Sequence, residues 1–319
     1  MRIRLRGLFA FVTLVACHGR AKAVFVPAPG SDVEAISLLG DSLRRPELDS
    51  SVRERMQTQL DEARRVEAAH PGDPDALIWV GRRTAYLGRF NEAIAIYTDG
   101  ISRFPNDARL YRHRGHRYIT VRRFDQAIAD LERAAGLTAG RPDEVEPDGQ
   151  PNARNIPIGS LQSNIWYHLA LAHYLRGDWD AAIAAARSGI RVSTNADRFV
   201  SQSHWLYMAL RRAGRTAEAT EALTAVRNDL EVIENSSYYQ LLQAYKSGLV
   251  AQAMDSAFAA GVRTASDASL AYGLANWFFY NGDTDRSIRA LEQLIAGGQW
   301  TSFGYIAAEA DLARLRRVR

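Results

Sequence analysis

The residues whose types and spacing best suit chemistry are three histidines on two predicted helices. His113 and His116 are three positions apart, which places both on one side of a helix, and His168 occupies the position of His113 in the next structural unit. Neutral imidazoles from two neighbouring helices can bind a divalent metal, and a water molecule on that metal becomes a nucleophile. One hypothesis is therefore a metal-assisted hydrolase with these three ligands.

Other features of the sequence argue against catalysis. There is no His-Glu-x-x-His string, no glycine-rich phosphate loop, and no inward carboxylate on the helices that carry the histidines. Histidine beside arginine more often serves as a neutral hydrogen-bonding residue. We therefore expect a non-catalytic protein without metal or cofactor, and keep the hydrolase as the alternative hypothesis.

The N-terminus has the form of an export signal. Three arginines within the first six residues precede the apolar run 8–16, which is too short to span a bilayer as a mature helix. The run ends in Leu14-Val15-Ala16-Cys17, which resembles the lipobox of bacterial lipoproteins, where the cysteine becomes the lipidated first residue. Cys17 is the only cysteine in the chain, so it has no disulfide partner within it.

These features predict a signal peptide at residues 1–17, lipid attachment at Cys17, a tether at 18–31, and anchoring to the bacterial cell envelope. The alternative is cleavage after Ala23, behind the small-x-small string Ala21-Lys22-Ala23, which gives a soluble periplasmic or secreted protein.

The charge of the chain depends largely on its leader. The formal net charge of +4 includes the three arginines before Cys17, so the remainder carries +1. There is no basic block, and we expect no nucleic-acid partner. Binding must then depend on local patches rather than on a field of the whole protein.

The elements that must position these residues recur every 34 positions, with one insertion and one three-residue slip. Units begin at Pro74, Ala108, Ser163, Val200, Glu234 and Ala268. Position 20 of each unit is small: Ala93, Ala127, Ala182, Ala219, Ala253 and Ser287. Position 15 is glycine in all units but the second: Gly88, Arg122, Gly177, Gly214, Gly248 and Gly282. The pattern predicts a helix, a tight turn and a closely packed second helix in each unit.

These positions carry a resemblance to the tetratricopeptide repeat family. The second unit matches best, through Tyr111, Gly115, Tyr118, Phe124, Ala127, Leu131 and Ala134. The resemblance implies an all-α fold, a right-handed α-solenoid of helix-turn-helix repeats over residues 74–319. It also implies a binding scaffold and names no ligand.

Both ends of the solenoid are expected to carry divergent helical caps. Residues 32–73 form the N-terminal cap, with one helix predicted over 32–44 and another from Ser50 or Ser51 to about Ala69. At the C-terminus a helix over 302–315 is predicted to bury Ile306, Ala310 and Ala313, with Glu309 and Arg314 outside.

In this family the first helix of each unit lines a concave face. The resemblance therefore assigns to the ligand groove Arg82, Tyr86, Arg109, Arg112, His116, Asn164, Tyr167, Tyr174, His204, Arg212, Tyr238, Tyr245, Tyr272 and Asn276. A lining of arginine and tyrosine suits an acidic peptide, a protein segment or an anionic glycan. The alternatives are that the tyrosines pack and that the arginines are solvated. The two-helix carboxylate clamp of some family members is not reproduced, because Ile78 replaces its first lysine.

One insert interrupts the repeats, at residues 138–162. It contains Pro142, Pro147, Pro151 and Pro157 and an acidic run, Asp143-Glu144-Val145-Glu146. We expect an ordered flap whose acidic run meets Arg109, Arg112 and Arg117, while Ile156, Ile158 and Leu161 pack beneath it. The alternative is a solvated loop.

Overall fold

The computed structural model describes residues 25, 27, 30–250 and 261–318. A two-stranded antiparallel hairpin, β1 (Val33–Ile36) and β2 (Ser42–Arg44), precedes the helices. The helices in the described part of the chain are α1 (Ser50–Ala69), α2 (Pro74–Tyr86), α3 (Phe90–Arg103), α4 (Ala108–Thr120), α5 (Phe124–Thr138), α6 (Leu161–Arg176), α7 (Trp179–Arg191), α8 (Ala196–Arg212), α9 (Thr216–Thr224), α10 (Ser236–Ser247), α11 (Ala265–Tyr280), α12 (Thr284–Ala296) and α13 (Phe303–Val318).

Each repeat turns where the sequence predicts a glycine. The backbone has a positive φ at Gly88, Gly177, Gly214, Gly248 and Gly282. Arg122, which replaces this glycine in the second unit, also has a left-handed φ of 64°. A side chain in that region is strained, so another interaction must hold Arg122 there.

Small residues allow the paired helices to approach closely, as predicted. The position-20 residues that the structure describes are fully buried, among them Ala93 and Ala127. A Cβ atom on Gly81 would lie 2.3 Å from the ring of Tyr97, and one on Gly115 would lie 2.8 Å from Leu131. Ala253 lies outside the described residues. Successive helices pack on one another around one extended apolar core, which confirms the predicted all-α solenoid.

The helix predicted over 32–44 is wrong, because this segment forms the β1–β2 hairpin. Gly40 has a φ of 104°, and the Ser37 hydroxyl accepts hydrogen bonds from the backbone N–H groups of Leu39 and Asp41. These contacts fix a turn that no helix can contain. Ala35 and Leu43, paired across the strands, are buried against the repeats. The predicted α1 does form.

The C-terminal helix forms where predicted but does not cap the solenoid. α13 packs against α11 and α12 and also reaches α6, far back along the chain. The loop before it contacts the N-terminal hairpin, since Trp300 Nε1 donates to the Arg44 carbonyl over 2.9 Å. The two ends of the solenoid therefore meet. None of the described helices is both long and apolar enough to cross a membrane.

Candidate functional site

The residues assigned to the ligand groove come together on the first helices of the repeats. The hydroxyl groups of Tyr167 and Tyr238 are 2.9 Å apart, and those of Tyr174 and Tyr272 are 2.7 Å apart. Most of this surface is not open, however. Tyr174, His204 and Asn276 are completely buried, and Arg112 and Tyr245 are almost completely buried. The groove is largely filled by other parts of the same chain.

Helix α13 fills one part of the groove. Its first residue, Phe303, places its ring 5.4 Å from His116 and 5.8 Å from His168, measured between ring centroids. Two carboxylates further along the helix meet arginines of the repeats: Asp311 meets Arg212 of the concave face, and Glu309 meets Arg122 at the turn of the second repeat. α13 therefore occupies part of the groove and places the Asp311 carboxylate on Arg212.

Glu309 forms a buried ion pair with Arg122. Their side chains are only 0% and 3% exposed, and Arg122 Nη2 lies 2.6 Å from Glu309 Oε2. The same guanidinium donates to the carbonyl oxygens of Thr120 and Trp300, and the Leu38 backbone N–H donates to Glu309. This network explains why Arg122 keeps its left-handed φ: a glycine would make the turn but could not reach Glu309.

Asp311 forms a second buried pair, with Arg212. Arg212 Nη2 lies 2.9 Å from Asp311 Oδ1, and the Tyr272 hydroxyl donates to Oδ2 over 2.9 Å. Arg314 on the next turn donates to the same carboxylate. Burial favours a higher pKa for Asp311, but the charges of Arg212 and Arg314 outweigh it and hold the pKa below its ordinary value. Asp311 is therefore ionised at neutral pH.

The prediction that Glu309 lies on the outer face of α13 is wrong, because its side chain is completely buried. Arg314, also expected outside, is partly buried and donates to the Leu175 carbonyl over 2.8 Å. The apolar positions of α13 at helical spacing gave no sign of either contact. The one available signal was Arg122, which departs from the glycine of the other repeats.

The insert covers another part of the groove, between α2 and α8. Glu146 Oε1 lies 2.9 Å from Arg112 Nη2, and Arg82 donates to the Pro147 carbonyl over 2.8 Å. At the far end Arg198 donates to the Ile158 carbonyl over 3.0 Å. Val145 and Ser160 form an isolated antiparallel bridge, which joins the two arms of the insert.

Some of the predicted contacts of the insert are wrong. Arg109 pairs with Asp107 and Asp75 within the repeats instead of with the acidic run. Ile158 and Leu161 pack in the interior as expected, but Ile156 is exposed. Arg117, the third expected target, makes no ion pair with any residue that the structure describes.

The three histidines do not form a metal site. His116 and His168 lie 4.3 Å apart between ring centroids, whereas His113 stacks on Tyr97 and contacts Arg112. Burial, together with the neighbouring arginines, holds the pKa of all three well below its usual value, so they are neutral. No group of three or more potential ligands able to hold a metal was found in the described part of the chain.

Between α13 and the insert a cavity remains open on the concave face. Its volume is about 660 Å³, a size typical of small-molecule sites. The lining combines rings and polar side chains: Tyr86, Phe90, His116, Arg117, Tyr167, Ser237, Tyr238 and Phe303. The groove predicted as one long surface is thus divided: this cavity is open, whereas Arg112 and Arg212 are paired with carboxylates of the same chain.

One family model matches the chain. Residues 153–195, which include helices α6 and α7, match the model described as Tetratricopeptide repeat. The chain therefore carries tetratricopeptide repeats, as its sequence predicts. Such repeats support a protein–protein interaction scaffold. No curated protein matches the chain.

Several solved structures are similar at low identity. The MamA protein is 19% identical with a TM-score of 0.41, over 55% of this chain and 82% of that one. YrrB, described as a TPR protein with an unusual peptide-binding site, is 12% identical with a TM-score of 0.42, over 81% and 98%. A tetratricopeptide repeat protein from Parabacteroides merdae is 14% identical with a TM-score of 0.43, over 75% and 84%.

Proposed function

We propose that this tetratricopeptide repeat protein is a non-catalytic scaffold, anchored in the bacterial envelope, that holds an acidic segment of a partner protein on its concave face. The observation that carries the proposal is that two arginines assigned to that face, Arg112 and Arg212, already bind carboxylates of the same chain. Glu146 pairs with Arg112, and Asp311 pairs with Arg212 and with Arg314 of its own helix. Glu309 pairs with Arg122 at the turn of the second repeat. The face is thus built to recognise acidic side chains, and a partner needs to replace only one of these internal ligands.

The insert is the internal ligand that a partner can replace most easily. Arg122 makes several hydrogen bonds to Glu309 and its surroundings, whereas Arg112 makes one ionic contact with Glu146. The Nε of Arg112 and the Oε2 of Glu146 are both buried without a hydrogen-bond partner. A carboxylate that engages Arg112 through two parallel hydrogen bonds would satisfy more of these groups. We therefore place the partner's acidic segment at Arg82 and Arg112.

Substitutions at this contact should have opposite effects on partner capture. Arg112→Ala removes the recognising cation and should weaken binding by about 1.5–3 kcal/mol, the size of a hydrogen bond to a charged group. Glu146→Gln weakens the internal competitor and should strengthen binding. Affinity capture from solubilised membranes, at two salt concentrations, measures both effects. Added salt should weaken capture by the wild-type protein.

Arg133→Ala is the matched control, since Arg133 is an exposed arginine whose guanidinium donates to Asn106 and pairs with no carboxylate of the described residues. Folding is checked by the thermal midpoint of each variant. Equal capture by the Arg112→Ala, Glu146→Gln and wild-type proteins, all folded, would place the partner elsewhere.

Membrane attachment should depend on Cys17, which lies outside the described residues. Acylation at the processed terminus with more than one chain gives stable attachment, so Cys17→Ser should move the protein from the membrane to the soluble fraction or leave it unprocessed. Fractionation of cells followed by mass spectrometry of the N-terminal peptide measures this. A wild-type protein found soluble and unacylated would contradict the anchor.

A further inference from the structure

Arg117 is the one charged side chain that projects into the lining of the open cavity without a counter-ion among the described residues. Its guanidinium lies over the Phe90 ring, 5.6 Å from the ring centroid, in a cation–π contact. The carboxylate that also borders the cavity, Glu234, is exposed at the rim and accepts a hydrogen bond from Asn152. The other concave arginines described above have a carboxylate or carbonyl partner.

The surroundings of Arg117 make this lack of a partner costly. The side chain is partly buried, and the charges nearest to it include Arg82 and Arg112, which repel it. Burial lowers the pKa of Arg117 to about 10, so the group is still a cation at neutral pH. A desolvated charge without a partner is unfavourable, and proteins normally compensate it with an opposite charge.

The walls of the cavity indicate what such an anion must be attached to. The Phe90 ring lies beside Arg117, Tyr86 and Phe303 add further rings to the lining, and neutral His116 adds another flat surface. Across the cavity Ser237 is buried, and its hydroxyl makes no hydrogen bond within the described residues. The cavity therefore offers the Arg117 cation, hydroxyl groups such as that of Ser237, and a body lined by aromatic rings.

We propose that this cavity binds a small organic anion, with its carboxylate or phosphate on Arg117 and its apolar body against Tyr86, Phe90 and Phe303. This site is separate from the contact at Arg82 and Arg112 where we place the partner protein. Its ligand is a compact molecule, because α13 and the insert close the groove on both sides. The scaffold thus carries a second binding activity, and the loss of either leaves the other testable.

Calorimetric titration with simple aromatic probes tests the site. Benzoate and phenyl phosphate should bind the wild-type protein, whereas benzyl alcohol, which has the same ring without the charge, should bind at least about tenfold more weakly. The stronger of the two anions identifies the head group. Arg117→Met should lower the affinity for both by about tenfold or more, and Arg117→Lys by less, since lysine keeps the charge without the planar fork.

Stability separates a binding role from a structural one. Because Arg117 has no partner to lose, Arg117→Met should keep or raise the thermal midpoint.

Arg289→Met is the control, since Arg289 is an exposed arginine of α12 away from the cavity. This variant should bind both anions like the wild type. The proposal is overturned if neither anion binds the wild-type protein at about 10 mM, or if Arg117→Met binds them unchanged. An Arg117→Met protein that fails to fold, with Arg117→Lys binding both anions unchanged, would assign Arg117 a structural role instead.

Discussion

Replacing Glu309 by alanine is expected to lower the free energy of unfolding by about 3–5 kcal/mol, because it leaves Arg122 buried without its counter-charge. The Arg122 side chain is 3% exposed and cannot turn to water without opening the contact between α13 and the repeats. The Leu38 N–H would lose its acceptor as well. Urea unfolding followed by circular dichroism measures the change.

Two further variants test the cause of this loss. Asp32→Ala removes an exposed ion pair with Arg44 and should leave the stability nearly unchanged. The double variant Arg122→Gly with Glu309→Leu removes both charges and restores glycine to a turn with positive φ. It should recover part of the stability that Glu309→Ala loses. If the Glu309→Ala protein is as stable as the wild type, the Arg122–Glu309 pair does not stabilise the packing of α13 on the repeats in solution.

A side chain at Gly304 is expected to separate α13 from α11. A Cβ atom there would lie 2.2 Å from the Ala268 carbonyl oxygen and 2.5 Å from its carbonyl carbon. These are backbone atoms of a packed helix, which cannot move aside as the end of a side chain can. Gly304→Val should therefore destabilise the protein by about 3 kcal/mol or more, at the upper end of the usual effect of overpacking. Faster amide hydrogen exchange along α13 should accompany the loss.

Gly136→Ala provides the control for a glycine-to-larger change within a helix. A Cβ atom at Gly136, in α5, would meet nothing within 4 Å. Because glycine is a poor helix former, this substitution should raise the stability by about 0.5–1 kcal/mol. If amide hydrogen exchange along α13 in Gly304→Val is as slow as in the wild-type protein, the added side chain has not loosened α13, and the prediction is contradicted.

The parts of the fold that the sequence predicts are those set by local spacing. Glycines at the turns and small residues such as Ala93 and Ala127 act within one repeat, so the 34-residue period reveals the helix pairs. The hairpin at residues 32–44 was missed because Val33, Ile36 and Leu39 also fit a helix. Its turn depends on Gly40 and on the side chain of Ser37, two residues that the helical pattern passes over.

The sequence predicts which residues line the candidate site, but it does not predict that α13 and the insert fill most of it. The concave Arg212 follows from repeat position, and Arg122 is visible as the exception to the turn glycine. Their partners Asp311 and Glu309 are 99 and 187 residues distant in sequence, and no local pattern links them. Arg117 was read as a target of the insert. In the structure the insert carboxylate that meets the concave face, Glu146, pairs with Arg112 instead.

The contact between the N-terminal hairpin and the C-terminal segment changes how the whole chain should fold and unfold. An open solenoid can unravel stepwise from its ends, because each repeat depends only on its neighbours. Here Leu38 binds Glu309 and Arg44 binds Trp300, across 271 and 256 positions. Such long loops make folding slower, and the terminal repeats lose the freedom to fray independently. These contacts also cannot form until Trp300 and Glu309 have been synthesised, so the N-terminal hairpin lacks them until then.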